Sequence, residues 1–304
     1  MRILIPGASG LLGANLALGL AEDHTLFGVV NRTRLQTAKF QVLQADLLEP
    51  GALERLFEQA RPDWVINCAA LADLERCEQQ PELARRINSE LPALLAERCR
   101  MGGARLLHVS TDAVFDGRTG GYSEQDPPNP LNVYAQTKLS GEQLALAANP
   151  ETLIARVNLF GFSLNGRRSL AEFFLYGLQA GQPLHGFTDM VFCPILINEL
   201  GPIFSAMLKR GLAGLFHVFS ADCLSKYEFA VRIARRFGLD PGLITPVSAS
   251  AAGLRVARAP NLSMDTRKLS TALGMETPSF TLMLDRFYTL YQQGYPQRLA
   301  EMIR

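Results

Sequence analysis

The chain alternates short apolar runs with longer amphipathic stretches. RILIP at 2–6, TLFGVV at 25–30, FQVLQ at 40–44, DWVINCA at 63–69, ARLLHVS at 104–110 and TLIARV at 152–157 have the character of strands. Most are near-continuously apolar, which is the pattern of strands covered on both faces. Helix-period stretches separate most of them: one running to about residue 22, then 51–60, 81–100 and 130–148. Pro81 and Pro130 suit first helical turns, and Asn129 suits the cap of the last of these helices. Strand and helix in alternation predict an α/β fold, a doubly wound parallel sheet of Rossmann type.

After residue 158 the rhythm changes. NLFGFSLNGRRS is a loop, and SLAEFFLYGLQAGQ is helical. Residues 198–210 form another helix, GLFHVFS at 214–220 a late strand, and SKYEFAVRIARRFGL at 225–239 an amphipathic helix. We expect a first domain over 1–158, with about 190–220 returning to it. Residues 159–189 and 221–304 then make a smaller C-terminal, substrate-binding domain.

Composition narrows the partners. The 304 residues are 48% hydrophobic and 19% charged, ordinary for a soluble globular protein. Thirty basic residues against twenty-nine acidic ones give a net charge of +1, so nothing favours nucleic acid or an anionic membrane. The opening MRILIPGASGLLGANLALGLA has the apolar tone of a leader peptide, but Pro6, the glycines and Asn15 interrupt it. Cys68, Cys77, Cys99, Cys193 and Cys223 include no CxxC pair, and we expect reduced thiols in cytoplasm. His24, His108, His185 and His217 show no metal-type spacing, and no metal site is expected. His108 and His217 fall in apolar runs, where simple packing is the expectation.

The glycines have a chemical reading. Gly7, Gly10 and Gly13 follow the first strand directly and open a helix. That is the context of a dinucleotide turn: a sharp bend, a close approach to pyrophosphate and a tightly packed helix. Ser9 adds a hydroxyl, and Leu11 and Leu12 complete the cofactor-binding turn. The second strand ends in VVNRTR, without the acid that would accept a ribose 2′-hydroxyl. Asn31 and Arg32 suit a 2′-phosphate instead, so NADPH is the expected cofactor, with NADH the alternative. Asp46 and Leu47, after the third strand, border the expected adenine.

The fifth strand ends in Ser110, Thr111 and Asp112, where open α/β sheets bind ligands. The next helix opens with Tyr134 and Lys138, four apart and therefore on one face. A hydroxyl, a phenol and an amine beside a dinucleotide turn form a specific constellation. With GASGLLG, NCAA, Asn88, STDAVFDG, YSEQDPPNPLNVYAQTKLSGE and RAPN, the chain resembles the extended short-chain dehydrogenases/reductases, and among them the dTDP-4-dehydrorhamnose reductase family. The first half matches densely and the second loosely.

The resemblance implies roles. Tyr134 gives a proton to the oxygen of a keto sugar while nicotinamide delivers hydride to its carbon. Thr111 holds that oxygen, and Lys138 binds the nicotinamide ribose and favours the tyrosinate. Ala69, Ala70 and Leu71 line the cofactor, Asn88 lies near the active site, and Ser110, Asp112, Arg156 and Asn158 face the substrate. Asn165, Arg167 and Arg168 meet a nucleotide diphosphate. Dimers are common in the superfamily. The physics is compatible: a free phenol has a pKa of about 10, and a cation about 6 Å away lowers it by roughly two units at an effective dielectric of about 20.

Departures from the family keep the substrate open. Ala113 stands where the reductases carry tyrosine and the related dehydratases carry glutamate, so dehydration chemistry is not expected. The readings are a reductase of a nucleotide-linked 4-keto-6-deoxysugar, a related NADP-dependent sugar reductase or epimerase, or a non-catalytic dinucleotide-binding subunit. The last is like the regulatory subunit of methionine adenosyltransferase.

Overall fold

β1 (Arg2–Pro6) is buried at four of its five positions in the structure, a computed structural model that describes residues 1–253 and 255–303. It is followed by α1 (Leu11–Leu20), β2 (Thr25–Val30), β3 (Gln41–Gln44), α2 (Ala52–Ala60) and β4 (Trp64–Asn67). Next come α3 (Leu74–Gln79), α4 (Pro81–Arg85), a π-turn (Arg86–Glu90) and α5 (Leu91–Gly102). β5 (Arg105–Thr111), a 3₁₀ turn (Asp112–Val114), α6 (Val133–Ala148) and β6 (Leu153–Val157) complete the dense half. β7 (Leu159–Phe160), α7 (Leu170–Gln179), β8 (Leu184–Phe187), β9 (Val191–Phe192), β10 (Ile195–Leu196), α8 (Ile197–Lys209) and β11 (Gly214–His217) follow. The chain continues through β12 (Leu224–Ser225), α9 (Lys226–Arg236), β13 (Ile244–Val247) and β14 (Asn261–Leu262) to α10 (Arg267–Leu273), α11 (Phe280–Gln292) and α12 (Tyr295–Glu301).

Seven strands form one sheet in the order β11-β6-β5-β4-β1-β2-β3, every pairing parallel. The apolar character of β1 has its reason here. Ile3 and Ile5 pack with Leu16 of α1 and Phe204 of α8, whereas Leu4 packs with Leu56 of α2 and Leu95 of α5. The strand order turns about between β1 and β4, and a crevice opens at the carboxyl ends there. Three smaller sheets, β12-β9-β14, β13-β8 and β10-β7, are formed by the later part of the chain, and Leu159 together with Arg168–Leu170 lines the crevice from that part. β11 pairs with β6 and α8 packs on α1, so the segment around 197–217 sits with the main sheet.

Local expectations fail at three places. The stretch 81–100 is not one helix, because a π-turn interrupts it. That turn buries Asn88 and Ser89 toward α6, where a Cβ at Gly141 would stand 2.1 Å from the Asn88 carbonyl oxygen. The helix α6 starts at Val133, capped by the side chain of Asn132, which accepts from Ala135 N–H at 2.9 Å. Asn129 instead donates to Asp116. Finally, Cys193 and Cys223 are joined as a disulfide, which corrects the expectation of five reduced thiols. β9 and β12 pair antiparallel, and that pairing brings the two cysteines together. Cys68, Cys77 and Cys99 are free.

Candidate active site

The glycine turn is built by sterics. Gly7 has φ +83°, and a Cβ on it would lie 2.7 Å from the backbone nitrogen of Ala69. A Cβ on Gly13 would lie 2.2 Å from the Gly7 carbonyl oxygen, so only glycine lets α1 approach the turn. No side chain caps α1. Its first N–H groups and its positive dipole end are left for an anion.

Two adjoining cavities lie at the carboxyl ends of the strands and share Gly10, Cys68, Ala70, Leu71, Arg76 and Arg168. The smaller, about 400 Å³, is lined by Gly7, Ser9, Asn31, Arg32, Asp46, Leu47 and Ala69. The larger, about 760 Å³, is lined by Leu11, Leu12, Ser110, Thr111, Asp112, Tyr134, Lys138 and Asn158. Volumes of this size suit small-molecule and cofactor sites. An uncapped helix start, a close-approach glycine turn and a cation at the distal end fit a dinucleotide phosphate chain. Asn88 does not reach the cavity. Its side chain clamps the lining loop, accepting from Leu71 N–H at 2.9 Å and donating to the Leu71 carbonyl at 3.0 Å and to Thr137 Oγ1 at 3.1 Å.

In the larger cavity the polar groups converge. Tyr134 and Thr111 line this cavity side by side. Thr111 Oγ1 donates to Asp112 Oδ1 at 3.1 Å and accepts from Ala113 N–H at 3.2 Å. Asn158 Nδ2 donates to Asp112 Oδ2 at 2.6 Å. Burial pushes Asp112 up to about 6, against the pull of its Asn158 and Thr111 hydrogen bonds and of Lys226. Lys226 is in turn lowered to about 8, chiefly by burial and then by Arg258. Lys226 and Arg258 line a third cavity of about 380 Å³ together with Phe173, His185 and Phe187.

Two expectations are corrected here. Lys138 does not lower the Tyr134 phenol. Burial raises Tyr134 to about 12, and Lys138 is not among the groups acting on it. The reason is geometric: Lys138 Nζ is turned inward, donating to the Val109 carbonyl at 2.7 Å and lying 3.2 Å from His108 Nε2. Burial lowers Lys138 itself to about 8. The second correction concerns Arg156, which does not line the cavity. It is 2% exposed, and its Nε and Nη2 donate to Glu142 at 2.9 and 2.7 Å. Ser110 lines the cavity, but its hydroxyl also donates to Glu142.

Glu142, His108 and Lys226 therefore matter to the site, although the sequence reading gave them no role. Glu142 had a signal: it continues the Tyr134, Lys138 spacing by one more turn. His108 and Lys226 had none, since their partners are set by sheet register and by the crossing of two layers. Among the described residues no group of three or more His, Cys, Asp or Glu side chains is placed to hold a metal ion, and no helix is long and apolar enough to cross a membrane.

The sheet order, the turn and the tyrosine–lysine face together define a Rossmann-type α/β protein of short-chain dehydrogenase/reductase architecture. Comparison with known proteins narrows this. The chain belongs to the RmlD substrate binding domain family, whose model matches residues 1–293. It is 34% identical over 259 residues to the dTDP-4-dehydrorhamnose reductase of Mycobacterium tuberculosis, covering 82% of this chain and 80% of that one. It is also 30% identical over 293 residues to methionine adenosyltransferase 2 subunit beta of Mus musculus, covering 91% and 84%. The crystal structure of a hypothetical dTDP-4-dehydrorhamnose reductase from Sulfolobus tokodaii superposes with a TM-score of 0.83 at 31% identity, covering 94% of this chain and 98% of that one.

Proposed function

We propose that the chain is an NADPH-dependent reductase of a nucleotide-linked 4-keto-6-deoxysugar. The observation that carries the reading is the meeting of Thr111, Tyr134 and Lys138 in one cavity that adjoins the glycine-turn cavity. The nicotinamide of the cofactor supplies the hydride when bound. The chain's own residues do the rest. Tyr134, with a pKa near 12, is fully protonated at neutral pH, the form a proton donor needs. Thr111 lines the same cavity as the phenol, and turning its one O–H from Asp112 to the incoming carbonyl oxygen would fix that oxygen at the point of transfer. Arg32 and Asn31 read the 2′-phosphate, and Arg168 stands where the two cavities join. Lys226 and Arg258 supply positive charge across from Asp112 for the diphosphate of the sugar nucleotide.

Ala113 favours a second reading, a related reductase acting on another carbonyl sugar, because the position beside Thr111 carries no ring to contact the substrate. One assay separates the readings: NADPH oxidation across a panel of nucleotide-linked 4-keto sugars. The first reading expects turnover with 4-keto-6-deoxy sugars and a loss of about 10²–10⁴-fold in Tyr134→Phe with NADPH binding intact. Turnover confined to other sugars selects the second. Tight NADPH binding with no turnover on any of them makes the chain a binding module and overturns both. Arg32→Ala should weaken NADPH by roughly 10–100-fold and leave NADH unchanged, the loss of one charge-assisted contact.

A further inference from the structure

Behind the catalytic face, a row of buried hydrogen bonds has its direction fixed by a group that can only donate. The backbone N–H of Ala69 points at Asn67 Oδ1, 3.1 Å away. That sets the amide, and Asn67 Nδ2 then donates to His108 Nδ1 at 3.0 Å. A neutral imidazole that accepts at Nδ1 carries its proton on Nε2. His108 Nε2 faces Lys138 Nζ at 3.2 Å. Two N–H groups cannot satisfy each other, so the row is fully paired only when Lys138 turns a lone pair toward the imidazole, while one of its own N–H bonds goes to Val109 O at 2.7 Å. An amine has such a lone pair and an ammonium does not.

We propose that His108 is a positioning residue that weakens the hold of Lys138 on its proton in the free protein, so that at alkaline pH binding of the dinucleotide is coupled to uptake of a proton by Lys138. The proposal rests on the cofactor reading above. Asn67 and His108 are each fully buried, which leaves water no way to relieve the mismatch that an ammonium would create. The other titratable groups around Lys138 are Cys68 beyond β4, and Glu142 and Tyr134 on its own helix. Cys68 and Glu142 pull toward the charged form, and burial outweighs both. The same burial keeps His108 neutral. A bound dinucleotide changes the balance, because its phosphates bring negative charge and its sugars bring hydroxyl acceptors, both favouring ammonium.

The test is calorimetric titration of the full chain with NADPH at pH 9, in two buffers of different ionisation enthalpy. At that pH Lys138, near 8 in the free protein, is mostly deprotonated. Uptake approaching one proton per NADPH is expected. At pH 6.5 the Lys138 contribution should vanish. His108→Gln, whose amide oxygen can accept from an ammonium, should keep NADPH binding but reduce the uptake at pH 9 several-fold. Nitrogen NMR of the free wild type gives a second readout that needs no variant to fold: His108 should carry its proton on Nε2. Binding without proton uptake at pH 9, or an Nδ1-protonated His108, overturns the proposal while leaving the cofactor reading intact. Absence of NADPH and NADH binding overturns the cofactor reading itself.

Discussion

Removing the Glu142 charge should cost stability rather than substrate affinity. Glu142 and Arg156 are 3% and 2% exposed, and the carboxylate takes two N–H donors from the guanidinium and one hydroxyl from Ser110. The guanidinium also lies over the Phe115 ring at 5.0 Å, so no water is at hand to replace a lost partner. Glu142→Gln leaves Arg156 as a buried cation facing a neutral amide. Breaking such a pair costs about 3–5 kcal/mol, most of it desolvation left uncompensated. Total stability of domains is commonly about 5–15 kcal/mol, so this is a large share of it. In a chain of this size it should lower the melting temperature by roughly 5–15 °C. Urea unfolding at pH 7 measures the loss directly. Arg156→Met should lose a similar amount, whereas Glu142→Leu with Arg156→Met together should fall well short of the sum, since no unpaired charge remains. In the folded fraction at low temperature, the KM of Arg156→Met for a sugar nucleotide should stay within about twofold of wild type. A stability loss below about 1 kcal/mol with a KM raised tenfold would show that Arg156 serves the ligand, and the buried-pair assignment would be wrong.

Two further outcomes follow from the site. Gly13→Ala should abolish NADPH binding and destabilise by at least about 1–3 kcal/mol, because its Cβ would meet the Gly7 carbonyl oxygen at 2.2 Å. Gly19→Ala on the same helix meets nothing within 4 Å and should gain up to about 1 kcal/mol, and equal effects at the two positions would refute the steric account. Asp112, raised to about 6 by burial, binds its proton more tightly when folded than unfolded. Folding stability from this group is therefore full below about pH 4 and is lost as pH rises to about 6, by roughly 2–3 kcal/mol. Asp112→Asn removes that slope, so its stability relative to wild type, by urea unfolding from pH 4 to 7, should improve with pH, and a constant difference would refute the assignment.

The legible parts of this protein were those whose physics is local. A strand feeding a glycine turn and a helix start are contiguous in sequence, and the sheet follows from apolar runs at repeated spacing. Tyr134 and Lys138 declared a shared face through the helix period alone. What stayed hidden depended on partners brought in by topology. Arg156 reads as a substrate arginine at a strand end until β6 is placed beside β5 and under α6, where Glu142 waits. Cys193 and Cys223 pair only because β9 and β12 run antiparallel. Lys226, 92 residues after Tyr134 in sequence, meets Asp112 only once the smaller sheets fold over the crevice. The π-turn leaves no mark in the residues that form it, and it lies where α6 comes close at Gly141.

One helix face shows how binding chemistry grades into structure. Tyr134, Lys138 and Glu142 descend α6 at four-residue intervals. Tyr134 is partly exposed as a residue, Lys138 is 2% exposed and Glu142 3% exposed. The top residue meets the cavity, the bottom one holds Arg156, and the middle one touches both a cofactor-sized space and the buried His108. A residue so placed has two competing sets of partners, and its charge is decided by which set is present. Without a ligand the buried set wins: the amine turns toward His108 and the Val109 carbonyl, and the phenol stays protonated near 12. Above about pH 8 the empty site therefore lacks the ammonium, and an anionic ligand in the cleft would restore it.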